Sequence, residues 1–112
     1  MPIFYLNRKG LSVKLSIMRE KIIAGNWKMY KTVPEALAFL DELIPLVEGV
    51  EASICLAVPY TAIAPCAERA AGTPVAIGAQ NMNDATDGAF TGEIAGRMLV
   101  DAGASFVVLG HS

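Results

Sequence analysis

Five polar side chains stand where apolar runs end. Asn26 and Lys28 follow "KIIAG", Gln80 and Asn81 follow "VAIGA", and His111 follows "SFVVLG". Together an amide, a fixed cation and an imidazole can hold an anion, stabilise a developing oxyanion and exchange a proton. Asn26 and Lys28 are two residues apart at a strand exit, so their side chains point the same way. Each residue also has a plainer reading on its own. Lys28 alone is a solvated loop lysine and Asn26 a turn former, while a histidine ending a strand is as often structural as catalytic. What decides between these readings is the framework that carries the five residues.

From Lys21 onward, strand-like and helix-like segments alternate. "KIIAGN" reads as a first strand. In "TVPEALAFLDELIPLVEG", Leu37, Leu40, Ile44 and Val47 fall on one helical face. Thr32 and Glu35 have capping-box spacing, and Pro34 suits a first turn. Pro45 is expected to kink or shorten that helix. "SICLAV" is a second strand, "TAIAPCAERAAG" a short helix closed by Gly72, and "VAIGAQ" a third strand. "GEIAGRMLVDAG" is a third helix stopped by Gly103, and "SFVVLG" a fourth strand. Such alternation predicts an α/β fold of parallel strands joined by helical crossovers. No Gly-x-Gly-x-x-Gly follows the first strand, so a dinucleotide-binding sheet lacks its phosphate cradle. Polar residues at strand C-termini instead suit the catalytic face of a closed βα barrel.

Composition narrows the function classes. The 112 residues are 54% apolar and 18% charged, with a net charge of −2 and no basic stripe, which argues against nucleic acid as a partner. No apolar run approaches the length of a membrane span. Cys55 and Cys66 are too few for a disulfide framework and read as core residues. Charge is uneven, however. Residues 1–19 hold Arg8, Lys9, Lys14 and Arg19 without an acid, whereas the remainder has five bases against eleven acids. We read 1–19 as an N-terminal extension, either a disordered arm or residues upstream of a start at Met18, in preference to a transit segment. Residues 20–112 then form the one structured unit.

Four motifs, "AGNWKMYKT" (24–32), "GAQNMN" (78–83), "GAFTGEI" (88–94) and "VVLGHS" (107–112), resemble the triosephosphate isomerase family in order and spacing. The resemblance implies the eight-stranded (β/α)8 barrel, of which this chain carries the N-terminal half: four parallel strands and three intervening helices. It implies interconversion of dihydroxyacetone phosphate and glyceraldehyde 3-phosphate, in glycolysis and gluconeogenesis, without metal or organic cofactor. The expected location is the cytoplasm, or an organelle if residues 1–19 act as a transit segment. By the resemblance, Asn26 and Lys28 bind substrate, Lys28 also serves catalysis, and His111 is the neutral electrophile that polarises the carbonyl. The histidine's role is the family's own and does not follow from spacing.

The long loop from Asn81 to Gly92 carries Phe90 at its tip. Read alone, it is a self-packed loop with Thr91 capping the next helix. The resemblance instead implies a homodimer in which this loop crosses to a second subunit, with Met29, Tyr30, Gln80, Phe90, Thr91 and Glu93 at the interface. It also places the general-base glutamate, the mobile lid and the later phosphate-binding loops outside this chain. The expectation is therefore a barrel cut in mid-construction, inactive on its own. Its first and fourth strands should present open edges prone to self-association, with Ile22, Ala24, Val107 and Leu109 facing an empty pore. The alternative is a non-catalytic half-barrel remnant serving as a structural or association module.

Overall fold

The computed structural model describes residues 2–7, 12–14 and 21–110. Along the chain these form β1 (Ile3–Leu6), β2 (Ser12–Lys14), β3 (Ile22–Asn26), α1 (Val33–Val47), β4 (Ser53–Val58), α2 (Ile63–Ala70), β5 (Val75–Ala79), α3 (Gly96–Ala102) and β6 (Phe106–Val108). The strands make one sheet in the order β2-β1-β6-β5-β4-β3. β3, β4, β5 and β6 are parallel, with Asn26 opposite Ala57, Leu56 opposite Ile77, and Ala79 opposite Val107. This is the predicted half-barrel of four parallel strands, each step spanned by one helix.

Period-two alternation gives the sheet two apolar faces. Leu56, Val58, Ile77, Ala79 and Val107 pack toward the helices, with Leu40, Ile63, Cys66 and Leu99. Cys55, Ala57, Phe106 and Val108 form a second cluster on the other face, closed by Ile3. Both cysteines are buried and free, and burial pushes the Cys66 thiol up. The helix face thus includes Val107 and, at its margin, Leu109, which were expected to line the pore. Phe106 and Val108 take the pore side instead, because the β5–β6 register sets Phe106 against Gly78. A Cβ on Gly78 would come within 2.5 Å of the Phe106 ring, so only glycine leaves room for it.

Local signals place the helices. The Glu35 carboxylate accepts the Thr32 backbone N–H at 3.0 Å and the Thr32 hydroxyl at 2.7 Å, starting α1 as predicted, with Pro34 in the first turn. The buried stripe of α1 is Ala36, Leu40 and Val47, with Leu37 and Ile44 half-buried on its flanks. Pro45 does not end the helix, which continues to Val47. The carbonyl it leaves without a helical donor belongs to exposed Asp41, where water can supply one. On the surface, Arg69 of α2 pairs with Asp41 of α1. α3 begins at Gly96, later than the sequence suggests, because Glu93 and Ile94 are held by turn and bridge contacts. Its N-cap is therefore Ala95 and not Thr91. Gly103 (φ 104°) and Ala104 donate to Val100 and Leu99, a Schellman closure that needs the left-handed glycine.

Part of the N-terminal extension departs from expectation, while the proposed start at Met18 lies outside the described residues. Ile3–Leu6 is no disordered arm: it is a strand pairing antiparallel with both β2 and β6. A short apolar run gains ladder bonds and burial against an edge that would otherwise be bare. The fourth strand's edge is consequently covered, while β3 retains one that is unpaired among the described residues. No helix among the described residues is long and apolar enough to cross a membrane.

Candidate active site

β3 delivers the first cluster. Asn26 is its last residue, and the Trp27 N–H donates to the Ala57 carbonyl at 3.0 Å, extending the β3–β4 ladder one step. The Asn26 side-chain oxygen then accepts the Lys28 backbone N–H at 2.9 Å, turning the chain sharply at the strand's C-terminal end. Lys28 adopts φ 52° and Lys31 φ 78°, the two non-glycine residues with positive φ among those described. A side-chain-bearing residue held there stores about 1–3 kcal/mol, which the surroundings must offset.

Gln80 supplies part of that offset. It leaves β5, and its amide nitrogen donates to the Lys28 carbonyl at 3.0 Å and to the Ala57 carbonyl at 3.0 Å. One side chain thereby ties together the exits of β3, β4 and β5. The resemblance suggested Gln80 for an interface; the structure turns its amide inward as a brace. That role was missed in sequence, where the available signal was an amide one residue beyond a strand.

Around Lys28, neighbouring side chains are sorted sharply. Trp27 is buried, edge-to-face with Phe39 of α1 at 5.4 Å and 82°. The Lys31 ammonium lies 5.4 Å from the Trp27 ring centre and 5.1 Å from that of Phe39, a cation–π lid on the pair. Lys28 itself is exposed, and among the described residues its ammonium has no ion-pair partner. Met29 and Tyr30 project outward, 94% and 72% exposed. The arrangement is a rigid turn, anchored by a tryptophan, that presents one cation at the C-terminal end of a parallel sheet. It can receive an anion and stabilise negative charge developing beside it.

The second predicted cluster is the loop after β5. The Asn83 amide donates to Glu93 Oε1 at 3.0 Å, and the Asn83 side-chain oxygen accepts the Ala85 N–H at 2.8 Å. Arg97 of α3 donates to the Thr86 carbonyl at 3.1 Å and lies 3.5 Å from Asp87. The loop is thus braced from within. Phe90 remains 55% exposed at its tip, and Thr91 and Glu93 are exposed beside it. Tyr60, where β4 turns toward α2, has its phenol pushed up by burial and by Glu93. Gly110 leads out of the sheet after β6, and His111, the predicted electrophile, lies outside the described residues.

Comparison with known proteins places this geometry. The model of the triosephosphate isomerase family matches residues 21–112. Triosephosphate isomerase of Protochlamydia amoebophila is 57% identical over 94 residues, covering 84% of this chain and 36% of the relative. That of Symbiobacterium thermophilum is 54% identical over 98 residues, covering 85% and 38%. Among solved structures, triosephosphate isomerase from Bartonella henselae superposes with a TM-score of 0.77 at 35% identity, over 85% of this chain and 39% of that one. The chain therefore spans a little over a third of the length of the curated relatives it matches.

Proposed function

The chain belongs to the triosephosphate isomerase family, and from that premise we propose that it furnishes the electrophilic part of an isomerase site for dihydroxyacetone phosphate and glyceraldehyde 3-phosphate. The observation that carries the proposal is Lys28, exposed at a strand's C-terminal end and locked in a left-handed turn by Asn26 and Gln80. Such a cation attracts the phosphate dianion on binding. It gains strength when removal of a carbon-bound proton leaves an enediolate beside it. Asn26 fixes the turn that aims Lys28, and His111 is assigned, through the family, to polarise the carbonyl and share its proton. The proton-abstracting carboxylate is assigned by the same likeness to sequence beyond these residues. A homodimer is part of the proposal, supported by the exposed apolar groups Met29, Tyr30 and Phe90.

Trp27 makes the binding step measurable, since it is the chain's sole tryptophan and adjoins Lys28. Titrating the chain with dihydroxyacetone phosphate should produce a saturable change in Trp27 fluorescence that Lys28→Ala removes. An equal response in Lys28→Ala would overturn the assignment.

A second reading, a non-catalytic half-barrel that serves as a structural or association module, is favoured by one observation: the β6 edge is already occupied by β1.

A further inference from the structure

In a closed barrel of parallel strands, each strand pairs with a neighbour on both sides. β6 pairs with β5 on one side as a barrel strand should. On its other side, where a barrel would seat the strand of the next unit, lies β1, running antiparallel. β1 and β2 both precede Lys21, where the family match begins. The edge that the family fold leaves for its continuation is therefore filled by a segment outside that fold.

The fit is thorough on every count. Ile3, Phe4 and Tyr5 lie opposite Val108, Val107 and Phe106. The Leu6 N–H donates to the Ser105 carbonyl at 3.1 Å, and the Leu109 N–H to the Pro2 carbonyl at 3.3 Å. These bonds extend the ladder beyond both ends of β6. Side chains engage both faces: Ile3 and Tyr5 join the Phe106–Val108 cluster, while Phe4 and Leu6 pack against the helix-side core. A strand merely lying on the surface would bury one face. β2 then pairs with the far side of β1, so the added segment is a hairpin with its own ladder.

We propose that the N-terminal hairpin is an intramolecular plug on the β6 edge, holding the position of a barrel's next strand and excluding any other strand from it. Because β1 is antiparallel and an incoming barrel strand parallel, the two cannot share the edge. Strand addition at β6 requires β1 to leave. The plug is short, with four residues in β1 and three in β2, so its release exposes few contacts compared with unfolding of the sheet. It shields the β6 edge from pairing with a second copy while closed, and makes opening of β1 the step that admits a new strand.

Two measurements on the 112-residue chain test this. Given the flanking bonds, Phe4 and Val107 form the intervening hydrogen-bonded pair of the ladder, so Phe4→Pro removes a donor that β6 uses. The expected result is exchange about tenfold faster or more at the Val107 and Leu109 amides, unchanged protection in β4 and β5, and concentration-dependent self-association in sedimentation. Unchanged exchange at Val107 and Leu109, or protection lost equally across β4 and β5, would overturn the proposal. The second measurement locks the plug. Ile3 and Val108 are a non-hydrogen-bonded pair, whose Cα atoms lie about 4.5 Å apart, within disulfide range. In Ile3→Cys/Val108→Cys with Cys55→Ala, oxidation should slow Val107 and Leu109 exchange and remove the self-association that opening of β1 permits, and reductant should reverse both. Identical behaviour of oxidised and reduced chains would refute it. Neither readout involves turnover, so failure of the catalytic reading leaves this test intact.

Discussion

Lys28 carries two burdens at once, a charge presented to solvent and a backbone in the left-handed region. They can be separated. Lys28→Gly removes the ammonium and the strain together, so in urea denaturation it should stabilise the chain by about 1 kcal/mol, the penalty an L-residue bears there. Lys28→Ala removes only the charge and should leave stability nearly unchanged. A glycine variant no more stable than the alanine one would show that the turn is not strained. The placement of Asn26 and Lys28 was legible, since both stand together in one motif at one strand exit. Their conformation was not. It depends on Gln80, 52 residues further along, reaching the Lys28 carbonyl, and that contact exists only once β3, β4 and β5 are in register.

At the scale of elements, the start of α1 was readable from Thr32, Pro34 and Glu35, because a capping box is local. Its chemistry gives a pH dependence. Hydrogen bonds from the Thr32 backbone and hydroxyl hold the Glu35 carboxyl below its ordinary value. A lowered folded pKa means the contribution is complete above the unfolded carboxylate value and disappears as pH falls through the folded one. Stability should therefore decline on the acid side of the ordinary glutamate range, and Glu35→Gln should flatten that part of a urea-midpoint profile. An unaltered profile would contradict the cap. Gly78 tests sheet packing: Gly78→Ala puts a methyl into the Phe106 ring and should destabilise by about 1–3 kcal/mol, read from the same midpoints. The start of α3 was not legible, since Glu93 and Ile94 are drawn into long-range contacts with the preceding loop that no helical period reports.

For the molecule as a whole, the four parallel strands and their order were legible because each apolar run is followed by a helix of its own. The hairpin was not, although Ile3–Leu6 and Ser12–Lys14 flank a polar stretch from Asn7 to Gly10 suited to a turn. Neither the charge bias of residues 1–19 nor the run itself carries a pairing signal, and only β6 reveals what the apolar run pairs with. At this scale stands the central proposal, that these residues furnish the cationic, electrophilic part of an isomerase site whose base the family likeness assigns elsewhere. It is tested most directly by steady-state turnover of dihydroxyacetone phosphate. The chain is assayed alone and mixed with the portion of the Protochlamydia amoebophila relative that lies beyond its match. The account predicts no turnover above buffer for the chain alone and clear turnover for the mixture. Lys28→Ala in the mixture should then cost about 10²-fold or more. Turnover by the chain alone that stays with it through purification, or a mixture indifferent to Lys28→Ala, would contradict it.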